Sequence, residues 1–73
     1  MKHYITNDHH EIKQGDWISD IDGTYEVKFV PPTIYDGLVI VSEIKFDEED
    51  PEAWGYDGER ALTASQIFHS YYG

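Results

Sequence analysis

The chain of 73 residues contains no cysteine. That excludes a disulfide framework and a thiolate metal centre, two common ways of stapling a small domain. It has only five Lys and Arg residues, against fifteen Asp and Glu, for a net charge of −10. So few cations exclude a nucleic-acid or anionic-membrane binder, because polyphosphate surfaces attract positive charge. No hydrophobic run approaches the roughly 20 residues that cross a bilayer as a helix. No apolar stretch follows Met1-Lys2-His3 in the manner of a signal peptide, so a cytoplasmic chain is expected. Also missing are a Gly-rich phosphate loop, a nucleophile elbow and a metal motif. Ser19, Ser42, Ser65 and Ser70 stand near no His–Asp partnership in the sequence. Neither an enzyme nor a cofactor is expected.

What is present is aromatic weight. Two Trp, six Tyr and three Phe each bring roughly 150–250 Å² of surface to bury. A chain this short buries only about 60% of its unfolded surface, so those rings must build the core of one domain spanning residues 1–73. A monomer meets that requirement, and a homodimer would add to it.

Along the chain, Lys2–Thr6 reads as an edge strand with Tyr4 inward, and Asn7-Asp8 as an Asx-type turn. His9 and His10 follow, flanked by Asp8 and Glu11. Neighbours in an extended segment point to opposite sides, so the pair does not readily share an ion. His3 and His69 are the only further nitrogen donors, and a solvated turn is the plainer reading. No metal site is expected.

The segment from Glu11 to Phe29 has an entry turn at Gly15-Asp16, a strand, an Asp-Gly turn and a second strand. Two registers compete. A two-residue Asp22-Gly23 turn sets Ile18 against Val27 and Asp20 against Tyr25. A three-residue Ile21-Asp22-Gly23 loop sets Trp17 against Val27 and Ser19 against Tyr25. The second collects Trp17, Tyr25, Val27 and Phe29 on one face and leaves Asp16, Ile18, Asp20, Glu26 and Lys28 on the other. Its apolar set is cleaner, so it is preferred.

Pro31-Pro32 ends that strand, because proline cannot donate to a ladder. Thr33–Gly37 reads as a connection closed by Asp36-Gly37. Leu38–Phe46 is apolar on both faces at first and alternating later, the pattern of a central strand. Asp47–Glu52 is an acidic loop; Pro51 and the missing central Gly depart from a calcium-binding loop. In Ala53–Gly58, Trp54 and Tyr56 either cap the open end of the sheet, the reading a small core favours, or serve as anchors for a partner. Glu59–Leu62 reads as a short last strand. Thr63 with Gln66 forms a capping box, with Leu62 placed to staple onto Ile67, and predicts a helix to about Tyr72. The expected fold is α+β: a strongly bent antiparallel sheet of four or five strands with one short C-terminal helix.

Glu11-Ile-Lys-Gln-Gly-Asp-Trp-Ile, followed by Asp-Gly-Thr-Tyr-Glu-Val-Lys-Phe, resembles a segment of YopX-type proteins of phages and prophages, and the opening of SH3-like small barrels. The likeness covers about residues 10–29. It implies an SH3-like partial barrel and a phage origin, but no defined activity. Trp54 to Gly73 has no counterpart in that pattern.

Charge and resemblance together lead to a non-enzymatic, acidic protein-binding module facing a basic protein surface. Its sharper form is a DNA mimic that inhibits a nucleic-acid-binding host defence protein, of the anti-CRISPR or anti-restriction type. Carboxylates two apart on a strand face lie about 6.6 Å from each other, comparable with successive phosphates. The expected contact residues are Asp16, Asp20, Glu26, Asp47, Glu48, Glu49, Asp50 and Glu52, with Trp54 and Tyr56. The competing reading is an accessory or scaffold protein that binds through Trp54, Tyr56, Tyr71 and Tyr72 without mimicry. A small-ligand or metal binder at His9-His10 is the third.

Overall fold

The computed structural model describes residues 4–32, 37–50 and 52–72. Five strands form one antiparallel sheet: β1 (Trp17–Asp20), β2 (Gly23–Phe29), β3 (Val39–Phe46), β4 (Trp54–Leu62) and β5 (Ser70–Tyr71). Their spatial order is β4-β3-β2-β1-β5. Among the described residues β4 and β5 do not pair, so the sheet is open rather than a closed barrel.

The β1–β2 hairpin adopts neither expected register. Trp17 pairs with Glu26, Ile18 with Tyr25 and Asp20 with Gly23, so the loop is Ile21-Asp22. The turn chemistry explains this. Asp20 Oδ1 accepts from the N–H groups of Asp22 (2.8 Å) and Gly23 (3.1 Å), which places Asp at the first turn position and Gly at the fourth. The single-residue slip exchanges the faces of β1. Ile18 becomes fully buried beside Tyr25 and Val27. Trp17 moves to the opposite face, and Phe29, beyond a register shift after Val27, is half exposed. The expected core set therefore survives only in Tyr25 and Val27.

The core lies on one face of the sheet and comprises Tyr4, Ile12, Ile18, Tyr25, Val27, Val39, Val41 and Ile67, with Val30 and Leu62 at its margin. Tyr4 is buried as expected and donates from its hydroxyl to the Gly37 carbonyl at 2.8 Å. Its segment is not an edge strand over the described part: it makes one isolated bridge, Ile5 to Glu11. The loop between them turns through His9 at φ 63°. β3 is an inner strand paired on both sides, as its two-faced hydrophobicity implied.

β4 is longer than the sequence suggested, starting at Trp54 rather than Glu59. A bulge makes this possible. Ser42 pairs with Glu59 and Ile44 with Tyr56, leaving Asp57-Gly58 opposite Glu43, with Gly58 at φ 128°. The extra residue flips the side-chain parity of the strand. Trp54 and Tyr56 face away from the core, whereas Arg60 and Leu62 face toward it.

The expected C-terminal helix is a single 3₁₀ turn, Ala64–Gln66. Gln66 Oε1 does accept from the Thr63 N–H at 2.9 Å, but Ile67 then becomes extended. Ile67 and His69 are buried while Phe68 and Ser70 are exposed, a period of two. A two-turn helix gains little against its nucleation cost. Extended, the segment instead pairs Ser70 and Tyr71 with β1. Lys2, the Thr33–Asp36 connection and Pro51 lie outside the described residues.

Candidate functional site

The face of the sheet opposite the core is not bare. Trp17 is placed there by its pairing with Glu26, and Phe46 by its pairing with Trp54 across β3 and β4. Tyr72 reaches the same face because its N–H donates to the Trp17 carbonyl at 2.8 Å. The rings meet around Trp17: Trp54 edge-on at 4.9 Å, Phe46 edge-on at 6.1 Å and Tyr72 stacked at 5.8 Å between centroids. Tyr56 packs edge-on against Trp54 at 5.3 Å. Such pairs contribute about 0.5–1.5 kcal/mol each beyond area burial. Ile44, two residues before Phe46 in β3 and so on the same face, is buried. Phe46, Trp54, Tyr56 and Tyr72 nevertheless keep 41–53% of their surface exposed.

Glu26 organises the polar part of this face. One carboxylate oxygen accepts from Trp17 Nε1 at 3.0 Å. The other accepts from the Tyr56 hydroxyl at 2.9 Å and pairs with Lys28 Nζ at 2.6 Å. The Lys28 bond, aided by the Trp17 and Tyr56 bonds, holds the Glu26 carboxyl below its usual range against the opposing effect of burial. Lys28 also lies 3.8 Å from the Tyr56 ring centroid, a cation–π contact.

The acidic tip of the β3–β4 hairpin adjoins the rings. Asp47 and Asp50 accept from the N–H groups of Glu49 (2.8 Å) and Glu52 (3.1 Å), and Asp47 N–H donates to Ala53 O at 3.0 Å. These Asx bonds give the tip a defined turn and spend only part of each carboxylate's acceptor capacity. Asp47, Glu48, Glu49, Asp50 and Glu52 are all exposed.

Of the expected contact residues, the structure brings together Glu26, Trp54 and Tyr56, with the acidic tip alongside. Two do not join them. Asp20 was expected to face outward; it lies on the core face, where Oδ2 is 3.1 Å from His69 Nε2 and the side chain is 11% exposed. Asp16 sits at the entry turn, accepting from Lys13 N–H and lying 2.9 Å from His10 Nε2. The acidic stripe expected along the first hairpin is thus dismantled by the register. Trp54 and Tyr56 do not cap the core; they belong to the outer layer. Trp17, Phe46 and Lys28 were not singled out as contact residues. The cross-strand pair of Trp17 with Glu26 was the signal, legible only once the turn was fixed.

Among the described residues, no group of three or more His, Cys, Asp or Glu side chains could hold a metal ion. His10 is used otherwise, stacking on Tyr71 at 3.7 Å. No described helix is long and apolar enough to cross a membrane. Comparison with known proteins finds no matching family model, curated protein or solved structure.

Proposed function

We propose that this protein is a non-enzymatic binding module that docks a basic protein surface through the aromatic outer face and the acidic hairpin tip. The observation that carries this reading is the half-exposed set of Phe46, Trp54, Tyr56 and Tyr72, gathered around the less exposed Trp17 and lying beside five solvent-facing carboxylates. Exposed Trp and Tyr are the residues that dominate interface energetics, and a net charge of −10 favours a cationic partner. The rings are held by one another and by Glu26, so little side-chain entropy is lost on docking.

The DNA-mimic form is the narrower version. It rests on the tip carboxylates, since Asp16, Asp20 and Glu26 are committed to His10, His69 and Lys28. Its phage setting rests on the resemblance of residues 10–29 to YopX-type proteins. The accessory or scaffold reading shares the aromatic face and dispenses with the tip.

The test is capture from a host lysate by immobilised wild type, Trp54→Ala, and a variant with Asp47, Glu48, Glu49 and Asp50 converted to amides. The expected outcome is a basic protein retained by wild type, lost with Trp54→Ala, and weakened by the amides and by rising salt. Elution by duplex or single-stranded nucleic acid supports mimicry. Capture that ignores the amides favours the accessory reading. Capture indifferent to both variants overturns the assignment of the site.

A further inference from the structure

The strand β5 is only two residues long. Its place is therefore set by side chains around it. The deepest is His69, 4% exposed, with its ring edge-on to Tyr25 at 5.4 Å between centroids. Its Nε2 lies 3.1 Å from Asp20 Oδ2. An ionised carboxylate only accepts, so Nε2 carries the proton and Nδ1 keeps a lone pair. Nδ1 is buried and has no hydrogen-bond partner among the described residues.

The charged groups that face the ring come from three places: Asp20 on β1, Asp22 in the following turn and Arg60 on β4. The two aspartates favour a protonated ring and Arg60 opposes it. Burial outweighs them and holds the imidazole below its ordinary value. On the other side, the N-terminal loop grips the same segment. Asn7 N–H donates to the His69 carbonyl at 2.9 Å, and the Asn7 side-chain amide donates to the Phe68 carbonyl. The Asp8 carboxylate accepts from Tyr71 N–H. His10, paired with Asp16, stacks on the Tyr71 ring.

We propose that His69 is the latch of a proton-released clamp: a proton added at Nδ1 frees residues 68–72 from the core face and withdraws Tyr72 from the outer face, while the β1–β4 sheet stays folded. The protonated ring has a second N–H and no buried acceptor for it, which is costly in a dry site. Beside the ring is a crevice of about 230 Å³, lined by Asp22, Arg60, Gln66 and Phe68 among others. Turning the imidazolium into that space gives it water and the Asp22 carboxylate, and breaks the Asp20 bond that fixes β5. Release rather than collapse follows because the ladders joining β1 to β4 contain none of residues 68–72. The direction is set by the lowered basicity of the closed state. The clamp is fully favoured above the ordinary imidazole value of about 6.5. Below it, opening grows about tenfold per pH unit until the closed state itself binds the proton. The release does not depend on what the outer face binds.

The test is an NMR titration of the full chain from about pH 8 to about pH 5, the range of imidazole chemistry. The readouts are the His69 ring, the Tyr71 and Tyr72 amides, the Trp17 indole, and the Val27 and Val41 amides. The expected result is that Tyr71, Tyr72 and Trp17 signals move in step with the His69 ring while Val27 and Val41 stay native. His69→Phe should remain closed throughout, and His10→Gln should retain the transition. The proposal is overturned if Tyr71 and Tyr72 move only with Val27 and Val41, which is global unfolding. It is equally overturned if His69→Phe keeps the transition or His10→Gln removes it. Should His69→Phe fail to fold, the comparison of midpoints within wild type still decides.

Discussion

Glu26 shows how one side chain can tie a surface together. It joins β1, β2 and β4 by accepting from Trp17 and Tyr56 and pairing with Lys28. Charge-assisted bonds of this kind contribute about 1.5–3 kcal/mol when well shielded. Glu26→Gln keeps the shape and loses the charge, so a loss of about 1 kcal/mol at neutral pH is expected. The pH dependence has a definite sign. The folded carboxyl titrates below its ordinary 4.5, so its stabilisation is present above that value and disappears as pH falls through the folded one. Urea denaturation of wild type and Glu26→Gln should show a gap at pH 7 that closes below pH 4. A gap of constant size across that range would contradict a charge-based role. At this scale the sequence marked Glu26 only as an outward carboxylate. That its charge is spent on Lys28 and two rings depended on which residues lie across from it.

At the scale of elements, the bulge at Asp57-Gly58 governs which side of β4 each residue faces. Gly58 has φ 128°, a conformation that side chains resist, although no atom lies within 4 Å of where a Cβ would stand. Gly58→Ala should therefore lose about 1 kcal/mol or more through backbone strain alone. Gly55, in the same strand, has no such φ and equally open surroundings. Gly55→Ala should be neutral or slightly stabilising, by thermal or urea unfolding. Equal losses at the two positions would mean that the bulge carries no special strain. The strands themselves were legible: the alternation in Gly23–Phe29 and the two-faced run in Leu38–Phe46 both became strands. The register of the first hairpin was not, because a cleaner apolar face on paper lost to an Asp20 side chain that bonds two turn amides. The C-terminal helix was not either. Its capping box formed, yet β1 offered the next residues pairing partners that an isolated two-turn helix lacks.

For the whole molecule, fifteen carboxylates against five cations make the folded state self-repelling. Among the described residues, Lys28 pairs with Glu26, and Lys45 with Glu43 and Asp57. Raising monovalent salt from low to about 0.5 M shortens the screening length to a few ångströms. The melting temperature should rise by several degrees over that range, as read by circular dichroism. A falling melting temperature would indicate that ion pairs, rather than repulsion, dominate the electrostatics. The same salt should weaken docking to a basic partner, so stability and binding respond in opposite directions.

The sequence by itself determined the sign of the field, the presence of a hairpin between Trp17 and Phe29 and the inner-strand character of Val39–Phe46. These follow from composition, local turn chemistry and side-chain period, which act within a few residues of one another. The tertiary structure decided the rest. Trp17 is on the outer face, Asp20 is bonded beneath the sheet to His69, and the segment from Ile67 to Tyr71 is extended, because each choice is made by a partner 40 or more residues away or by a parity shift of one residue. Such differences cost little locally and reverse everything that faces the core.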